Sequence, residues 1–372
     1  MNNLLKERVE KIFDKIDDKD VSHIIINNDI SPQIDSTFFY LTGVSSGIFE
    51  RSFAVAYADG DVTIITGALE AESARKTDLK VIVVDKKPND EFKTQLLQVL
   101  KGHKKIGVNY GGLTAKNYLW LCEAVKDSKI VDVSNPIEHA RMIKDEVEIK
   151  LIKRSAEIAS ASFYPIKEAI KEGLKETEMA AIVNYNMMKL GATGASFETI
   201  FGSGKNSAEP HYVPRDDRIL KGDLIVCDYG ARYKRYCSDT TRTFVMGNSD
   251  GKKKKIYNTV FEAQRASLDI IKAGANGLDV YKAAANVIDK NGYHGLFTHG
   301  VGHSLGLDVH DSTILNPYGD YPLEEGMVLT VEPGVYVPGF GGVRIEDDIV
   351  ITKKGYEILT TAPKTWDEMI IA

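Results

Sequence analysis

The segment HGVGHSLGLDVH, residues 299–310, places three histidines and three glycines within twelve positions. Glycine lets the backbone come close to a metal ion or a substrate. Neutral imidazole is a common metal ligand, and a second histidine nearby can transfer protons. A single histidine is more often a packed or surface residue, but three in one glycine-rich segment predict a functional site at His299, His303 and His310.

Two aspartates upstream have a spacing that suits the same site. Asp228 ends the apolar run 224–226, and Asp239 follows eleven residues later. That interval predicts a hairpin of two strands with both carboxylates facing one pocket. Two aspartates in turns would have the same spacing, so the pair alone leaves both interpretations open. Cys227 precedes Asp228, and strand alternation predicts that it points into the core.

Two glutamates downstream complete a set of four carboxylates. Glu332 and Glu346 each follow a β-branched apolar residue in a strand-like segment, where a carboxylate is costly unless it is paired or bound to a metal. Glutamates on an exposed edge strand are the alternative. Together with the two aspartates, the glutamates carry four negative charges. Two divalent cations would balance these charges, and without cations the four carboxylates would repel one another. Oxygen-rich ligation with one imidazole suits Mn²⁺, Co²⁺, Fe²⁺ or Zn²⁺.

The bulk composition narrows the class of protein. A chain of 372 residues predicts two domains. The net charge of −6 argues against a nucleic-acid-binding surface, and the basic cluster at 252–255 is expected to begin a solvated helix. The chain shows no signal-peptide pattern and no apolar run of the ~18 residues that a membrane span needs. Three cysteines without a CxxC pair fit a reducing compartment, so a cytoplasmic protein is expected.

Helical and strand-like patterns alternate over the first 135 residues and predict an α/β domain. A turn expected at Ser134-Asn135-Pro136 sets the domains at 1–135 and 136–372. Beyond it, periodicity predicts helices at 141–172 and 176–190, and strands at 224–228, 241–246, 328–337 and 343–351.

Taken together, these motifs resemble the metallopeptidases of the pita-bread fold, in the branch of Xaa-Pro aminopeptidase (aminopeptidase P) and Xaa-Pro dipeptidase (prolidase). The resemblance covers the chain from about residue 140 onward. The N-terminal part resembles the creatinase-type domain of the same family, as in Tyr40-Leu41-Thr42-Gly43. The resemblance implies an α+β fold, with a pita-bread catalytic domain preceded by a smaller α/β creatinase-like domain.

The resemblance also implies five ligands for two divalent ions, with Mn²⁺ or Co²⁺ expected first and Fe²⁺ or Zn²⁺ as alternatives. By this resemblance, Asp239 and Glu346 bridge both ions, Asp228 serves one ion, and His303 with Glu332 serves the other. A water molecule that bridges two metals supplies hydroxide at neutral pH, and this would attack the scissile carbonyl.

Four further residues and one ligand receive roles from the resemblance. His211 matches a family histidine near the substrate carbonyl, and His310 matches one implicated in substrate binding and proton movement. His299 lines the same loop, and Arg344 is expected beside the ligand carboxylates. Glu332 is the candidate proton acceptor in addition to its role as a ligand.

The choice between the two peptidase activities depends on recognition of the proline carboxylate. In prolidases of this type an arginine shortly follows the equivalent of His310, whereas residues 311–316 contain no Arg or Lys. The expectation is therefore aminopeptidase P, acting on proline-containing peptides, with prolidase as the alternative. Methionine aminopeptidase lacks such an N-terminal domain, creatinase needs no metal, and non-catalytic peptide-binding relatives lose ligands that are all present here. The family commonly forms homodimers, which is also expected for this chain.

Overall fold

The computed structural model describes residues 2–84, 88–101, 104–247 and 250–371. The chain forms two compact units, residues 1–141 and 142–372. The turn predicted at Ser134-Asn135-Pro136 is wrong, because these residues begin the helix Ser134–Met142, and the boundary expected at 135 lies inside it. A helix tolerates proline in its first turn, where the missing N–H would have no acceptor within the helix. The proline that suggested a turn is therefore part of a helix start.

The first unit contains a six-stranded sheet with helices, as the alternating pattern predicts. Its strands are β1 His23–Asn27, β2 Phe53–Tyr57, β3 Val62–Gly67, β4 Lys80–Val84, β5 Lys105–Val108 and β6 Lys129–Asp132. Its helices are α1 Asn2–Asp14, α2 Thr37–Thr42, α3 Ala71–Ala74, α4 Pro88–Val99, α5 Ala115–Ala124 and α6 Ser134–Met142.

The strand order in this sheet is β4-β3-β2-β1-β5-β6. Strand β2 runs antiparallel to β1 and β3, and the other neighbours are parallel. Ile24, Ile25 and Ile26 of β1 are all buried. A strand with consecutive buried residues is covered on both faces, which is typical of α/β sheets.

The second unit is larger and mixes helices with several sheets. Its helices are α7 Glu146–Ala161, α8 Phe163–Ala169, α9 Glu176–Lys189, α10 Gly251–Leu268, α11 Gly277–Lys290 and α12 Trp366–Met369. Its strands are β7 Gly194–Ala195, β8 Ile200–Ser203, β9 Leu224–Tyr229, β10 Ala231–Tyr233, β11 Tyr236–Cys237, β12 Thr240–Met246, β13 Gly302–Ser304, β14 Ser312–Leu315, β15 Val328–Val331, β16 Gly334–Val337, β17 Gly341–Arg344, β18 Asp347–Thr352, β19 Gly355–Ile358 and β20 Ile370–Ile371. The basic cluster at 252–255 begins α10, as predicted.

Two sheets of this unit carry most of the site, with strand orders β20-β12-β9-β8 and β14-β13-β15-β18-β19. Smaller sheets, β11-β10-β7 and β16-β17, complete the unit. Among the described residues, no helix combines the length and the apolar composition that crossing a membrane requires.

The helix expected over 141–172 is two helices, α7 and α8, which meet at Ser162. Helix α7 begins at a capping box, in which Asp145 accepts from the backbone N–H of Glu148 and Glu148 accepts from that of Asp145. The interruption precedes Pro165, whose ring would clash with the carbonyl four residues earlier in a continuous helix. Helix α9, by contrast, matches its prediction at 176–190 closely.

The strands predicted at 328–337 and 343–351 are also interrupted. The first divides into β15 and β16 at Glu332-Pro333, and the second into β17 and β18 at Ile345-Glu346. At both interruptions the chain passes between the five-stranded sheet and the two-stranded sheet. Both candidate ligands, Glu332 and Glu346, therefore lie where a strand ends. Their side chains do not have to follow the alternating directions of side chains along a strand.

Candidate metal centre

Asp228 and Asp239 enter one cavity from paired strands. Asp228 lies on β9, and Asp239 directly precedes β12, which pairs antiparallel with β9 so that Thr241 is opposite Asp228. Asp228 is 7% exposed and Asp239 is 5% exposed. The predicted pairing of the two strands is confirmed. Cys227 is fully buried in the hydrophobic core, as strand alternation predicts.

The two glutamates are held by backbone and threonine contacts. The N–H of Glu332 donates to Val301 O (2.8 Å), and the N–H of Glu346 donates to Thr241 O (3.2 Å). Thr330 Oγ1 donates to Glu332 Oε1 (3.3 Å), and Thr241 Oγ1 donates to Glu346 Oε2 (2.6 Å). Each carboxylate keeps an oxygen that these threonines do not use.

His303 on β13 presents its Nε2 atom to the carboxylates. Its Nδ1 lies 3.2 Å from Ser304 O, and a carbonyl only accepts, so Nδ1 carries the proton and Nε2 carries the lone pair. Nε2 lies 3.7 Å from Asp239 Oδ2 and 3.4 Å from Glu332 Oε1. Gly302 makes this approach possible, because a Cβ there would lie 1.9 Å from Thr330 O.

The five candidate ligands line one cavity of about 240 Å³. Potential ligand atoms of Asp239, His303 and Glu346 all lie within 4.8 Å of one another. Glu332 joins this group through its contact with His303, and Asp228 lines the same cavity. The other four residues predicted for the site line it as well: His211, His299, His310 and Arg344.

Burial and mutual repulsion disfavour the charged forms of the carboxylates in the site. Burial, followed by repulsion from Glu346, raises the pKa of Asp239 well above its usual value. Burial, followed by repulsion from Glu332 and Asp228, does the same to the pKa of Glu346. Burial raises the pKa of Glu332 to about 7 and lowers the pKa of His303 to about 3. Crowded carboxylates and a neutral imidazole are the groups that divalent cations would stabilise.

Two buried oxygens give an independent test of whether a metal fits. Asp228 Oδ1 and Asp239 Oδ1 have no hydrogen-bond partner in the described part of the chain. A buried carboxylate oxygen without a partner is costly. Together with the lone pair of His303 Nε2, these atoms form a donor set that fits divalent metal ions.

Arg344 lies beside Asp228 and is buried with it. Its Nη2 donates to Asp228 Oδ2 (2.5 Å), its Nε to Thr241 Oγ1 (3.0 Å), and its Nη1 to Tyr336 OH (2.7 Å). His299 Nδ1 donates to Gly300 O (2.7 Å), so its Nε2 accepts from Tyr336 OH (2.8 Å). One tyrosine hydroxyl thus connects the histidine to the arginine.

Tyr336 was missed by the sequence interpretation. The sequence did contain a signal. Residues 332, 334 and 336 are two positions apart, so in the strand predicted over 328–337 the side chain of Tyr336 would lie on the same face as that of Glu332. His310 is exposed at the cavity, with its ring centroid 4.3 Å from that of His303. His211 is exposed and lines the cavity from a segment without regular structure.

Comparisons with known proteins match both units. The model of metallopeptidase family M24 matches residues 150–353, and that of the creatinase/prolidase N-terminal domain matches residues 8–143. The chain is 37% identical to a protein of Pyrococcus horikoshii named Xaa-Pro dipeptidase, over 99% of this chain and 100% of the relative.

Solved structures show the same similarity. The Xaa-Pro dipeptidase from Bacillus anthracis matches with a TM-score of 0.89 and 35% identity, covering 98% of this chain and 99% of that chain. The X-Pro aminopeptidase from Thermotoga maritima matches with a TM-score of 0.89 and 32% identity, covering 98% and 99%. The predicted fold, a creatinase-type N-terminal domain followed by a pita-bread catalytic domain, is confirmed.

Proposed function

The chain belongs to metallopeptidase family M24, and from this membership we propose that it is a Xaa-Pro dipeptidase with two divalent metal ions per subunit. The observation that carries the chemistry is the convergence of Asp239, His303 and Glu346, whose ligand atoms lie within 4.8 Å of one another. We assign Asp228 and Glu332 as the other two ligands. Mn²⁺ and Co²⁺ are the ions to test first, because the donors are mainly carboxylate oxygens.

The dipeptidase activity replaces the aminopeptidase activity that the sequence favoured. The absence of Arg or Lys at 311–316 supported the aminopeptidase. A relative named Xaa-Pro dipeptidase that matches along the whole chain supports the dipeptidase. Aminopeptidase activity remains the second candidate, because a solved X-Pro aminopeptidase is structurally as similar.

The residues of the cavity suit hydrolysis of a tertiary amide. Two divalent ions bound here would lower the pKa of a water molecule and polarise the scissile carbonyl. The carboxylate of Glu332 would accept the proton of the attacking water. His211 would donate to the carbonyl oxygen as it gains negative charge. The proton that Glu332 accepts would pass through His310 to the proline nitrogen, which has no N–H of its own in the substrate.

The test is hydrolysis of Ala-Pro, Ala-Pro-Ala and Ala-Ala by the purified protein, with Mn²⁺, with Co²⁺ and after chelation. We expect metal-dependent cleavage of Ala-Pro in preference to the other two. The variant Asp239→Asn keeps the shape of the side chain and is expected to lose more than about 100-fold in kcat, since residues that merely orient a ligand are worth 10–100-fold. The exposed Asp367 provides the matched control, Asp367→Asn, with activity retained.

Each other outcome has a defined meaning. Cleavage of Ala-Pro-Ala alone would replace the dipeptidase by the aminopeptidase. Activity of Asp239→Asn equal to that of Asp367→Asn would contradict the ligand assignment. Cleavage that survives chelation would refute the metal mechanism, and a protein that neither binds nor responds to a divalent metal would be a peptide-binding relative.

Two further expectations complete the proposal: the protein is a homodimer, and it acts in the cytoplasm. Light scattering after size-exclusion chromatography should give twice the mass of one chain. The mass of a single chain would contradict the dimer, and recovery in a membrane or secreted fraction of the source cells would contradict the location.

A further inference from the structure

Few contacts of its own side chain hold His211 in place. It lies between the short helical turn Gly204–Ala208 and strand β9, in a stretch without a helix or strand. Its ring is exposed, and within the described residues it makes no hydrogen bond. A side chain that must meet one carbonyl oxygen needs a defined position. That position has to come from the residues on either side.

The following residue, Tyr212, is buried and tightly bound. Its side chain is 2% exposed. The hydroxyl donates to Glu176 Oε2 (2.7 Å) and accepts from Asn206 Nδ2 (2.9 Å). Burial, followed by the hydrogen bond with Glu176, raises the pKa of Tyr212, so the hydroxyl keeps its proton. The ring also packs beneath the guanidinium of Arg215, 5.0 Å from the ring centroid, and beside Gly202, where a Cβ would lie 3.2 Å from the ring.

Glu176, on α9, is a fully buried carboxylate with five donors. Oε1 accepts from Ser203 N (2.7 Å), Ser203 Oγ (2.9 Å) and Asn206 Nδ2 (3.1 Å). Oε2 accepts from Tyr212 OH and from Arg215 N (3.3 Å). A buried charge with this many donors is satisfied and orders the groups around it. Ser203 ends β8, the neighbour of the strand that carries Asp228, so Glu176 ties the His211 segment to the sheet of the metal centre.

The preceding residue, Pro210, is held from the opposite side. Its carbonyl accepts from Arg344 Nη1 (3.3 Å), and the same guanidinium binds Asp228. His211 therefore lies between two fixed points, one linked to the metal centre and one linked to Glu176. The second link, through Tyr212 and Glu176, includes none of the five candidate ligands.

We propose that Tyr212, held by Glu176, is a positioning residue that places the His211 ring at the substrate carbonyl. The proposal rests on the role assigned to His211 in the proposed function. It differs from a purely structural role, in which the hydroxyl of Tyr212 would stabilise the fold and affect all activities of the site alike.

A double-mutant cycle separates these two roles. The enzymes are the wild type, Tyr212→Phe, His211→Ala and the double variant, loaded with Mn²⁺ and assayed on Ala-Pro. We expect Tyr212→Phe to lower kcat about tenfold with KM changed less than about twofold. In the His211→Ala background, the same substitution should change kcat by less than about twofold. Tyr257→Phe is the matched control, because Tyr257 is also buried and its hydroxyl also donates a hydrogen bond, here to the backbone carbonyl Lys364 O (3.0 Å). The kcat of this variant should equal that of the wild type. An equal loss in both backgrounds, or none in either, would overturn the proposal.

A second measurement needs no substrate. NMR of protein labelled at its eight histidines resolves the His211 ring, assigned by its loss in His211→Ala. Tyr212→Phe and Glu176→Gln should shift or broaden this resonance, and Tyr257→Phe should leave it unchanged. Unchanged His211 signals in Tyr212→Phe would refute the positioning role even in an active enzyme. Shifted signals in a protein that hydrolyses no Xaa-Pro substrate would support the positioning role and refute the proposed function.

Discussion

Replacing the buried Lys144 by methionine is expected to destabilise the second unit by about 3–5 kcal/mol. The Lys144 side chain is 0% exposed, and its Nζ lies 3.2 Å from Asp311 Oδ2 and 3.1 Å from Ser304 Oγ. Methionine keeps the length of the chain and removes the charge. The carboxylate of Asp311, which is 5% exposed, then has lost its buried cation. Removing one partner of a buried ion pair lowers the free energy of unfolding by about 3–5 kcal/mol.

The measurement is urea unfolding of metal-free protein in a Trp120→Phe background. The chain has two tryptophans, so Trp366 on α12 then reports on the second unit alone. Its ring packs against Tyr257 at a centroid distance of 5.3 Å. Lys150→Met is the control, because Lys150 pairs with Glu146 at 3.8 Å on the surface, and the expected change is below about 0.5 kcal/mol.

A second variant makes the explanation refutable. Asp311→Asn removes the buried anion, so the double variant Lys144→Met/Asp311→Asn should lose at least about 1 kcal/mol less than the sum of the two single variants. Strict additivity would show that the charges do not interact. A loss for Lys144→Met no larger than that for Lys150→Met would refute the reasoning altogether.

Three further outcomes follow from the site. Mn²⁺ at about 100 times its Kd should stabilise the metal-free protein by about 2.7 kcal/mol, measured by thermal unfolding. The variant Asp239→Asn should lose most of this stabilisation. A melting temperature that does not change with metal would contradict the metal site. Gly302→Ala should destabilise the second unit by more than about 3 kcal/mol in chemical unfolding, because the new Cβ would lie 1.9 Å from Thr330 O. Gly251→Ala is the control, because its new Cβ would have no atom within 4 Å, and it should change stability by less than about 1 kcal/mol. Gln264→Leu should lower the free energy of unfolding by about 2–3 kcal/mol in the same assay, because Gln264 Nε2 donates to the backbone carbonyls of the two residues that precede Glu332 and Glu346. Unchanged stability would show that these hydrogen bonds do not stabilise the second unit.

The positions of the glutamates show the limit of local patterns. β-Branched neighbours at 331 and 345 indicated strands that continue through Glu332 and Glu346. The structure ends a strand at each of them, because the chain changes from one sheet to another there. Which sheet a segment joins depends on partners distant in sequence, and the local pattern carries no information about them. The helix predicted over 141–172 fails for a nearer reason, the proline at 165.

The network around Glu176 shows the same limit more strongly. Glu176 was predicted only as the start of a helix, yet its carboxylate accepts from Ser203, Asn206, Tyr212 and Arg215. A glutamate in the first turn of a helix is common on a surface. Its complete burial depends on how the segment 203–217 folds over α9.

Residue types alone predicted which side chains could bind metal, because carboxylates and imidazoles are donors wherever they lie, and four negative charges need compensation. The ordered motifs of the second unit also predicted the family branch. The folded chain was needed to show that His303 Nε2 faces Asp239 and Glu332, that Tyr336 joins His299 to Arg344, and that both glutamates lie at strand ends. These relations are distances between residues far apart in the chain, and packing sets them.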